Sequence, residues 1–257
     1  MKFLCLHGMG ANSDVYETQL SSIIAQLGSH HEFFFADGLI QCDAAEGVEE
    51  VFSGPFYCYY EKASQGRLHQ AFDLIYELIE DEGPFDGIFG FSQGGALASS
   101  FLLHHRKTNP YEPDPFNLAV FTCASLPFDP QCNTRADKYI TLISPQSGAV
   151  SVRDWNSEDV VEPQQINGFT APPEADDIVL RRFHPKREAA RISIPTVHIM
   201  GSQDPFYPQG LVLAQLCSGH TEIVEHPLGH QIPHDVNFTR SAVAAIEKCI
   251  HRVLSQC

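Results

Sequence analysis

The chain has 257 residues, of which 43% are hydrophobic and 19% charged, and this balance excludes a largely disordered chain and a small disulfide-dependent fold. Its 16 lysines and arginines stand against 32 aspartates and glutamates, which gives a formal net charge of -16. Such a charge opposes attraction to nucleic acid and to anionic membrane surfaces, so we expect neither as a partner.

Short apolar runs alternate with longer segments of helical periodicity, which is typical of an α/β protein with a mostly parallel sheet. Most runs lack polar alternation, because helices would cover both faces of such a sheet. Strands are predicted at 3–7, 32–36, 87–91, 118–124, 195–200 and 221–226. Helices are predicted at 12–27, 66–82, 93–107, 207–217 and 234–255. We expect one domain over residues 1–257.

Two segments depart from this alternation. Residues 53–60 form an aromatic stretch, which can line an apolar pocket or pack onto the core. Its candidates for a substrate pocket are Phe56, Tyr57, Tyr59 and Tyr60. Residues 144–185 form a long irregular insertion, rich in acids and prolines. An insertion of this length is more often a lid or binding loop than a connector, although a disordered surface loop is the alternative.

Eight cysteines are scattered along the chain without a C-x-x-C pair, and several lie in apolar runs where a buried thiol is ordinary. The N-terminal apolar run is too short for a signal peptide, and no run has the length of a membrane span. We therefore expect a cytoplasmic protein in a reducing setting.

Residues 90–94 read Gly-Phe-Ser-Gln-Gly and match the G-x-S-x-G motif. They follow an apolar strand pattern and precede a helical pattern, which is the context in which this motif presents a nucleophilic serine on a sharp turn. The hydroxyl of Ser92 would then stand at the N-terminal end of a helix, where developing negative charge is stabilised. An ordinary glycine-flanked turn is the weaker interpretation.

A serine hydroxyl is a weak nucleophile, so it needs a base and an acid that orients the base. Asp204 follows the strand predicted at 195–200 and would face the same sheet edge as Ser92. Asp176 and Asp177 compete for this role, but no strand precedes them.

Three histidines between residues 226 and 234 are candidates for the base. We favour His230, because it lies in a glycine-containing loop, whereas His226 ends a predicted strand and His234 begins a predicted helix. Their spacing could suggest a zinc helix, but Pro227, Gly229 and Pro233 break any such helix, so no metal site is expected.

Acyl transfer also needs donors aimed at the oxyanion. The backbone N–H after the nucleophile, here that of Gln93, is one donor, and the loop after the first strand can supply the N–H of Met9 as the second. The Gly8-Met9-Gly10 stretch could also open a dinucleotide fingerprint, but Ser13 stands where the third glycine belongs. No cofactor is therefore expected.

The sequence resembles the fungal serine hydrolases of the α/β-hydrolase fold, among them the thioesterases that release polyketides from their synthases. The resemblance rests on motifs in order across nearly the whole chain, at 3–8, 54–55, 85–94, 194–204 and 229–233. It implies a catalytic triad of Ser92, Asp204 and His230 acting on acyl thioesters or small esters. The insertion at 144–185 is longer than in compact members of the family.

A basic cluster ends this insertion: residues 181–191 hold five of the 16 basic residues. It can balance local acids on a solvated helix face, or it can dock an acidic partner such as an acyl carrier protein or a coenzyme A phosphate. The docking candidates are Arg181, Arg182, Lys186 and Arg187.

The expected function is hydrolysis of an acyl thioester, carried by a carrier protein or coenzyme A, through an acyl-enzyme on Ser92. A carboxylesterase of small esters would use the same machinery, and capture of the acyl group by an internal nucleophile would make a cyclase or transferase. A hydrolase-fold binding protein that has lost catalysis is a further alternative, and the intact set of catalytic residue types argues against it.

Overall fold

The computed structural model describes residues 1–131, 139–144, 146–154 and 181–255. Ten strands and five helices lie in these ranges. The strands are β1 (Lys2–Leu6), β2 (Glu32–Ala36), β3 (Ile40–Cys42), β4 (Phe56–Cys58), β5 (Gly87–Phe91), β6 (Leu118–Thr122), β7 (Tyr139–Ile143), β8 (Val150–Asp154), β9 (Thr196–Gly201) and β10 (Thr221–His226). The helices are α1 (Ser13–Leu27), α2 (Gln65–Asp81), α3 (Gln93–Thr108), α4 (Tyr207–Ala214) and α5 (Val236–Leu254).

Six parallel strands form the central sheet in the order β10-β9-β6-β5-β1-β2. The chain therefore moves outward from β1 in one direction to β2, and then in the other direction through β5 to β10. Between β1 and β5 the strand order reverses, and in open α/β sheets ligands bind at the carboxyl ends of the strands at such a switch point. The turns that follow β1 and β5 both lie there.

Helices cover both faces of this sheet, as its apolar strands predict. One apolar layer lies under α2 and α3 and includes Phe72 and Phe101, whereas the opposite layer lies under α1 and α5 and includes Leu20 and Ile246. All residues of β5, β6 and β9 are buried. Because both faces are buried, these strands lack the alternation of a half-exposed sheet.

Local residues set the ends of several elements. The side chain of Asn12 caps α1 by accepting a hydrogen bond from the N–H of Val15, and Gly28 ends this helix at φ 90°. Asp235 caps α5 through the N–H groups of Asn237 and Phe238. The strand predicted at 118–124 ends at Thr122, because Cys123 turns to φ 49°. The helix predicted at 207–217 ends at Ala214.

Two small antiparallel sheets were not predicted. The pair β3 and β4 contains three residues in each strand, too few for a recognisable alternation. The pair β7 and β8 lies partly within the predicted insertion at 144–185. Within that insertion, residue 145 and residues 155–180, including Asp176 and Asp177, lie outside the described residues, so the lid stays a prediction. Among the described residues, no helix combines the length and the apolar character that crossing a membrane requires.

Candidate active site

Ser92 stands in a tight turn between β5 and α3, as the motif predicts. Its backbone has φ 53° and ψ -113°, and its N–H donates to the carbonyl oxygen of Thr122 at 2.9 Å. A β-carbon at Gly94 would lie 2.2 Å from the carbonyl oxygen of Leu6, and one at Gly90 would lie 2.5 Å from the nitrogen of Gly95. The turn therefore requires glycine at both positions, because the backbone passes too closely for any side chain.

The structure brings Ser92, His230 and Asp204 together. Nε2 of His230 lies 2.8 Å from Oγ of Ser92, and Nδ1 of the same ring lies 2.8 Å from Oδ2 of Asp204. The Asp204 side chain is 1% exposed, whereas that of His230 is 30% exposed. A carboxylate accepts but does not donate, so Nδ1 carries the proton and Nε2 is free to accept the proton of the serine hydroxyl.

Neighbouring strands hold the acid and the base. The β9–β10 register pairs Gly201 with His226, so the loops that carry Asp204 and His230 leave the sheet side by side. The N–H of Gln203 donates to the carbonyl oxygen of Leu228 at 3.1 Å and joins the two loops. The second carboxylate oxygen of Asp204 accepts from the N–H of Phe206 at 2.8 Å. These bonds fix the carboxylate toward the ring.

Three side chains that the sequence did not single out surround the imidazole of His230. The rings of Phe91 and Phe206 each pack against this imidazole, and each ring centroid lies 5.1 Å from that of His230. Cys123 has its thiol near both partners, since ligand atoms of Cys123, Asp204 and His230 lie within 4.8 Å of one another. Within the described chain, these three residues form the group that could hold a metal ion. However, the carboxylate of Asp204 and the ring of His230 are hydrogen-bonded to each other, which occupies two of the three ligand atoms.

The loop between β1 and α1 lies against the serine. A β-carbon at Gly8 would lie 3.3 Å from Cβ of Ser92, so the backbone directly before Met9 borders the serine. Gly10 has φ 74°, a conformation that favours glycine. Its N–H donates to the carbonyl oxygen of Tyr57 at 3.0 Å, and its own carbonyl accepts from the N–H of Ala45 at 2.8 Å. The loop is therefore anchored by segments on both sides.

His7 anchors the same loop from within the core. The ring is fully buried, its Nδ1 lies 2.7 Å from the carbonyl oxygen of Gly8, and its Nε2 accepts from the N–H of Gly38 at 3.0 Å. Since Nε2 accepts, Nδ1 donates to Gly8. Burial lowers the pKa of His7, so the ring stays neutral and keeps both bonds. In the sequence, the signal that could have indicated this anchoring role is the histidine and glycine directly after the first strand.

The side chain of Gln93 joins the serine turn to the aromatic stretch. Its amide oxygen accepts from the N–H of Tyr59 at 2.9 Å, and its amide nitrogen donates to the carbonyl oxygen of Tyr60 at 2.7 Å. These bonds fix the first residue of α3, whose backbone N–H is one of the two predicted oxyanion donors.

The predicted aromatic pocket requires a correction. Phe56, Tyr59 and Tyr60 are buried, and the hydroxyl of Tyr59 accepts from the N–H of His7 and donates to the carbonyl oxygen of Ala36. These three rings belong to the core, because folding the aromatic stretch onto the sheet removes them from solvent. Tyr57 alone of the four is half-buried.

The other two histidines of the 226–234 region lie elsewhere. His226 is buried against the ring of Phe238, and neither of its nitrogens has a hydrogen-bond partner in the described part of the chain. Burial lowers its pKa. Nδ1 of His234 lies 3.0 Å from Oγ of Ser22 on α1. Only His230 of the three lies within hydrogen-bond distance of Ser92.

The predicted docking cluster divides into buried and exposed residues. Arg181 is buried, with Nε 3.0 Å from Oδ2 of Asp129, and Arg182 is buried with its guanidinium 3.9 Å above the ring of Phe128. Both are therefore removed from the docking prediction, because they fasten this segment to the core. Lys186 and Arg187 are exposed.

The exposed pair borders an open cavity of about 450 Å³. The cavity is lined by one strand of the β7–β8 pair and the basic segment: Val150, Ser151, Val152, His184, Lys186 and Arg187. The turn before β8 packs beside the Asp204 loop, since a β-carbon at Gly148 would lie 2.4 Å from the carbonyl oxygen of Pro205. The strand that lines the cavity thus begins beside the loop that carries the acid.

Comparison with known proteins gives the family. A family model described as serine hydrolase (FSH1) matches residues 1–242. The chain belongs to this family. Relatives of similar length include the esterase alnB of Emericella nidulans, which is 34% identical over 281 residues; the alignment covers 99% of this chain and 98% of alnB. The esterase FPY3 of Fusarium mangiferae is 30% identical over 262 residues and covers 99% of each chain.

The fold agrees with that of solved α/β-hydrolases. Arabidopsis thaliana SOBER1 superposes with a TM-score of 0.55 at 14% identity, over 97% of this chain and 99% of that protein. The protein is thus a serine hydrolase with the α/β-hydrolase fold, as its sequence predicts.

Proposed function

We propose that this serine hydrolase cleaves acyl thioesters through a triad in which Ser92 is the nucleophile, His230 the base and Asp204 the orienting acid. The chain of two 2.8 Å hydrogen bonds from Asp204 through His230 to Ser92 carries the proposal. A nucleophile, a base and an orienting group within hydrogen-bond reach are what acyl transfer requires.

In the acylation half, Nε2 of His230 takes the proton of Ser92 as Oγ bonds to the acyl carbon. The carbonyl oxygen becomes an oxyanion, which the backbone N–H groups of Met9 and Gln93 stabilise. Collapse of this intermediate breaks the bond to sulfur, and His230 returns the proton to the leaving thiolate. Asp204 stabilises the imidazolium that forms between these steps.

In the deacylation half, a water molecule takes the place of the serine hydroxyl. His230 removes a proton from this water as its oxygen attacks the acyl carbon. The second intermediate collapses to a free carboxylic acid, and the proton returns to Oγ of Ser92. The carbonyl oxygen occupies the same pair of N–H donors, so one site serves both halves of the reaction.

An acyl carrier protein is the proposed source of the substrate. Carrier proteins of this kind are acidic, and the chain itself carries a net charge of -16, so a docking partner needs a local basic surface. Lys186 and Arg187 are exposed and line the cavity whose wall strand begins beside the Asp204 loop, and they supply such a surface.

Hydrolysis of small carboxylic esters is the second candidate. The relatives at 34% and 30% identity are both described as esterases, and this favours an oxygen ester as substrate. The triad and the oxyanion donors would be the same, since only the leaving group differs.

The two candidates are separated by a pair of substrates with the same acyl group, one an N-acetylcysteamine thioester and the other an ethyl ester. We expect kcat/KM for the thioester to exceed that for the ester by at least about tenfold, which corresponds to roughly 1.4 kcal/mol of transition-state stabilisation. Ser92→Ala should abolish both activities. The opposite ranking would assign the protein as a carboxylesterase, and no turnover of either substrate by the unmodified protein would favour a binding protein.

A further inference from the structure

Two cysteines that the proposed reaction does not use lie side by side on the small β3–β4 sheet. The antiparallel register pairs Cys42 with Phe56 and Ile40 with Cys58. Directly opposed residues, and residues two apart on one strand, point to the same face of a sheet. Cys42 and Cys58 are therefore diagonal neighbours on one face. Both are free thiols, Cys58 buried and Cys42 half-buried.

The two thiols differ in chemical character. A hydrogen bond from the thiol of Cys58 is the largest of the effects that lower the pKa of Cys42 below that of an ordinary thiol. The backbone of Gly10 acts in the same direction, whereas burial and the charges of Asp43 and Glu61 oppose it. The same bond, together with burial, raises the pKa of Cys58. Cys42 is thus the more readily ionised thiol of the pair, and thiolates are the form that reacts with oxidants.

Other cysteines of the described chain lack this character. Burial raises the pKa of Cys5, Cys123, Cys217 and Cys249. A buried thiol with a raised pKa is protonated and inert toward peroxides. Among the cysteines that the structure describes, the β3–β4 sheet therefore carries the reactive thiol.

We propose that Cys42 and Cys58 are a peroxide-reactive pair that closes to a disulfide and thereby slows turnover at Ser92. The sulfur of Cys42 attacks hydrogen peroxide and breaks its O–O bond, which gives a sulfenic acid and releases one water after protonation of the leaving hydroxide. The thiol of Cys58 then attacks this oxidised sulfur, the S–O bond breaks, and a second water leaves. Two thiols are oxidised and one peroxide is reduced to two waters.

Closing the disulfide must move the backbone. Diagonal neighbours on paired strands have Cα atoms about 7–8 Å apart, whereas a disulfide joins Cα atoms about 4.4–6.8 Å apart. The difference between these two Cα–Cα distances means that one of the short strands must shift by on the order of 1 Å.

Both strands are attached to the loops that hold the proposed oxyanion donors. The N–H of Tyr57 on β4 donates to the carbonyl oxygen of Ala11 at 2.7 Å, and the carbonyl oxygen of Tyr57 accepts from Gly10 at 3.0 Å. Ala45, just after β3, donates to Gly10 at 2.8 Å. The residue after Cys58, Tyr59, is bonded to the side chain of Gln93. A shift here is passed to Met9 and Gln93, and a misplacement of about 1 Å in an active site can cost up to roughly 10²-fold in rate.

Formation of the disulfide does not depend on the proposed function, whereas its effect on turnover rests on the oxyanion donors named above.

The test treats the reduced protein with hydrogen peroxide at pH 7.5, blocks the remaining thiols with iodoacetamide, and maps the peptides without reduction. We expect a linked Cys42–Cys58 peptide and a kcat on the order of tenfold lower. Dithiothreitol should break the link and restore kcat. Cys42→Ser should retain its kcat under peroxide. Cys217→Ser, a control elsewhere in the chain, should still form the link and lose activity.

Several results would overturn the proposal. A Cys42 that is still alkylated after peroxide treatment, a link from Cys42 to another cysteine, or a Cys42–Cys58 link with unchanged kcat would each contradict it. If Cys42→Ser does not fold, the rate of iodoacetamide modification at each cysteine of the reduced wild-type protein decides the matter: Cys42 must react fastest. A reduced protein without any hydrolase activity would refute the proposed function instead, while the peptide map would still decide the pairing.

Discussion

At the scale of single residues, Ser92 has a backbone conformation that a non-glycine residue rarely adopts. Such strain costs on the order of 1–3 kcal/mol and persists only where the surroundings impose it. Here the surroundings are the bond from Ser92 to Thr122 and the close passage of Gly94 beneath Leu6. The consequence is a hydroxyl held at the start of α3 and aimed at His230 rather than used as a helix cap.

A pair of histidine substitutions tests the assignment of the base. His230→Ala removes the group that accepts the serine proton, and we expect kcat/KM for a small ester to fall by at least about 10⁴-fold. His226→Ala serves as the matched control, because this ring is buried against Phe238 and makes no bond to Ser92. It should keep kcat/KM within about tenfold while it lowers stability. Steady-state kinetics of both variants give the answer, and equal losses would show that the base is misassigned.

Much of the site could be predicted from sequence because each residue type follows a recognisable strand. Ser92 follows β5 in a glycine-rich motif, and Asp204 and His230 follow β9 and β10. Cys123 and Phe206 could not be found in this way, since nothing in a thiol or a phenyl ring indicates a neighbour that is distant in the chain. Their contacts with the ring of His230 arise only when β6, β9 and β10 are assembled.

At the scale of elements, the central strands and helices were predictable because their hydrophobic patterns are long. The β3–β4 sheet was not, because its strands have three residues each and depend on bonds between Tyr57 and the loop at Gly10 and Ala11. The composition of the segment also could not predict the roles of Arg181 and Arg182. Whether an arginine docks a partner or pairs with an acid such as Asp129 depends on burial.

The exposed part of the basic segment leads to a prediction about docking. We expect Lys186→Glu combined with Arg187→Glu to raise KM for a substrate bound to an acyl carrier protein by about tenfold, because the double change reverses two charges on the proposed docking surface. KM for a small thioester with the same acyl group should stay within about twofold, since that substrate makes no docking contact.

The matched control for this prediction is Arg240→Glu with Arg252→Glu, two exposed arginines on α5 whose reversal changes the net charge equally. Kinetics with both substrates compare the two double variants. An increase in KM of the same size in both, or for both substrates, would contradict specific docking beside the cavity.

At the scale of the whole molecule, buried neutral histidines link stability to pH. His198 on β9 is 1% exposed, and burial lowers its pKa from 6.5 to about 3. Below pH 6.5 the unfolded chain binds a proton at this residue that the folded protein does not bind. Acidification therefore favours the unfolded state, and the free energy of unfolding falls by about 1.4 kcal/mol per pH unit through this residue until the pH nears the folded pKa.

Replacement of this histidine gives a direct check of that linkage. His198→Gln removes the titrating group, so we expect its free energy of unfolding to fall less steeply with acidification than that of the wild-type protein. The difference in slope should be about 1.4 kcal/mol per pH unit between pH 6 and pH 5. Urea unfolding at pH 7, 6 and 5 measures it for both proteins. Parallel curves would show that His198 takes up its proton in the folded state.

The most direct test of the triad is the site and rate of covalent labelling by a fluorophosphonate, followed by intact mass and peptide mapping. We predict a single adduct on Ser92 at neutral pH, no adduct in Ser92→Ala, and labelling slowed by at least about 10³-fold in His230→Ala, because the hydroxyl then has no base. An adduct on another residue, or undiminished labelling of Ser92 in His230→Ala, would contradict the account.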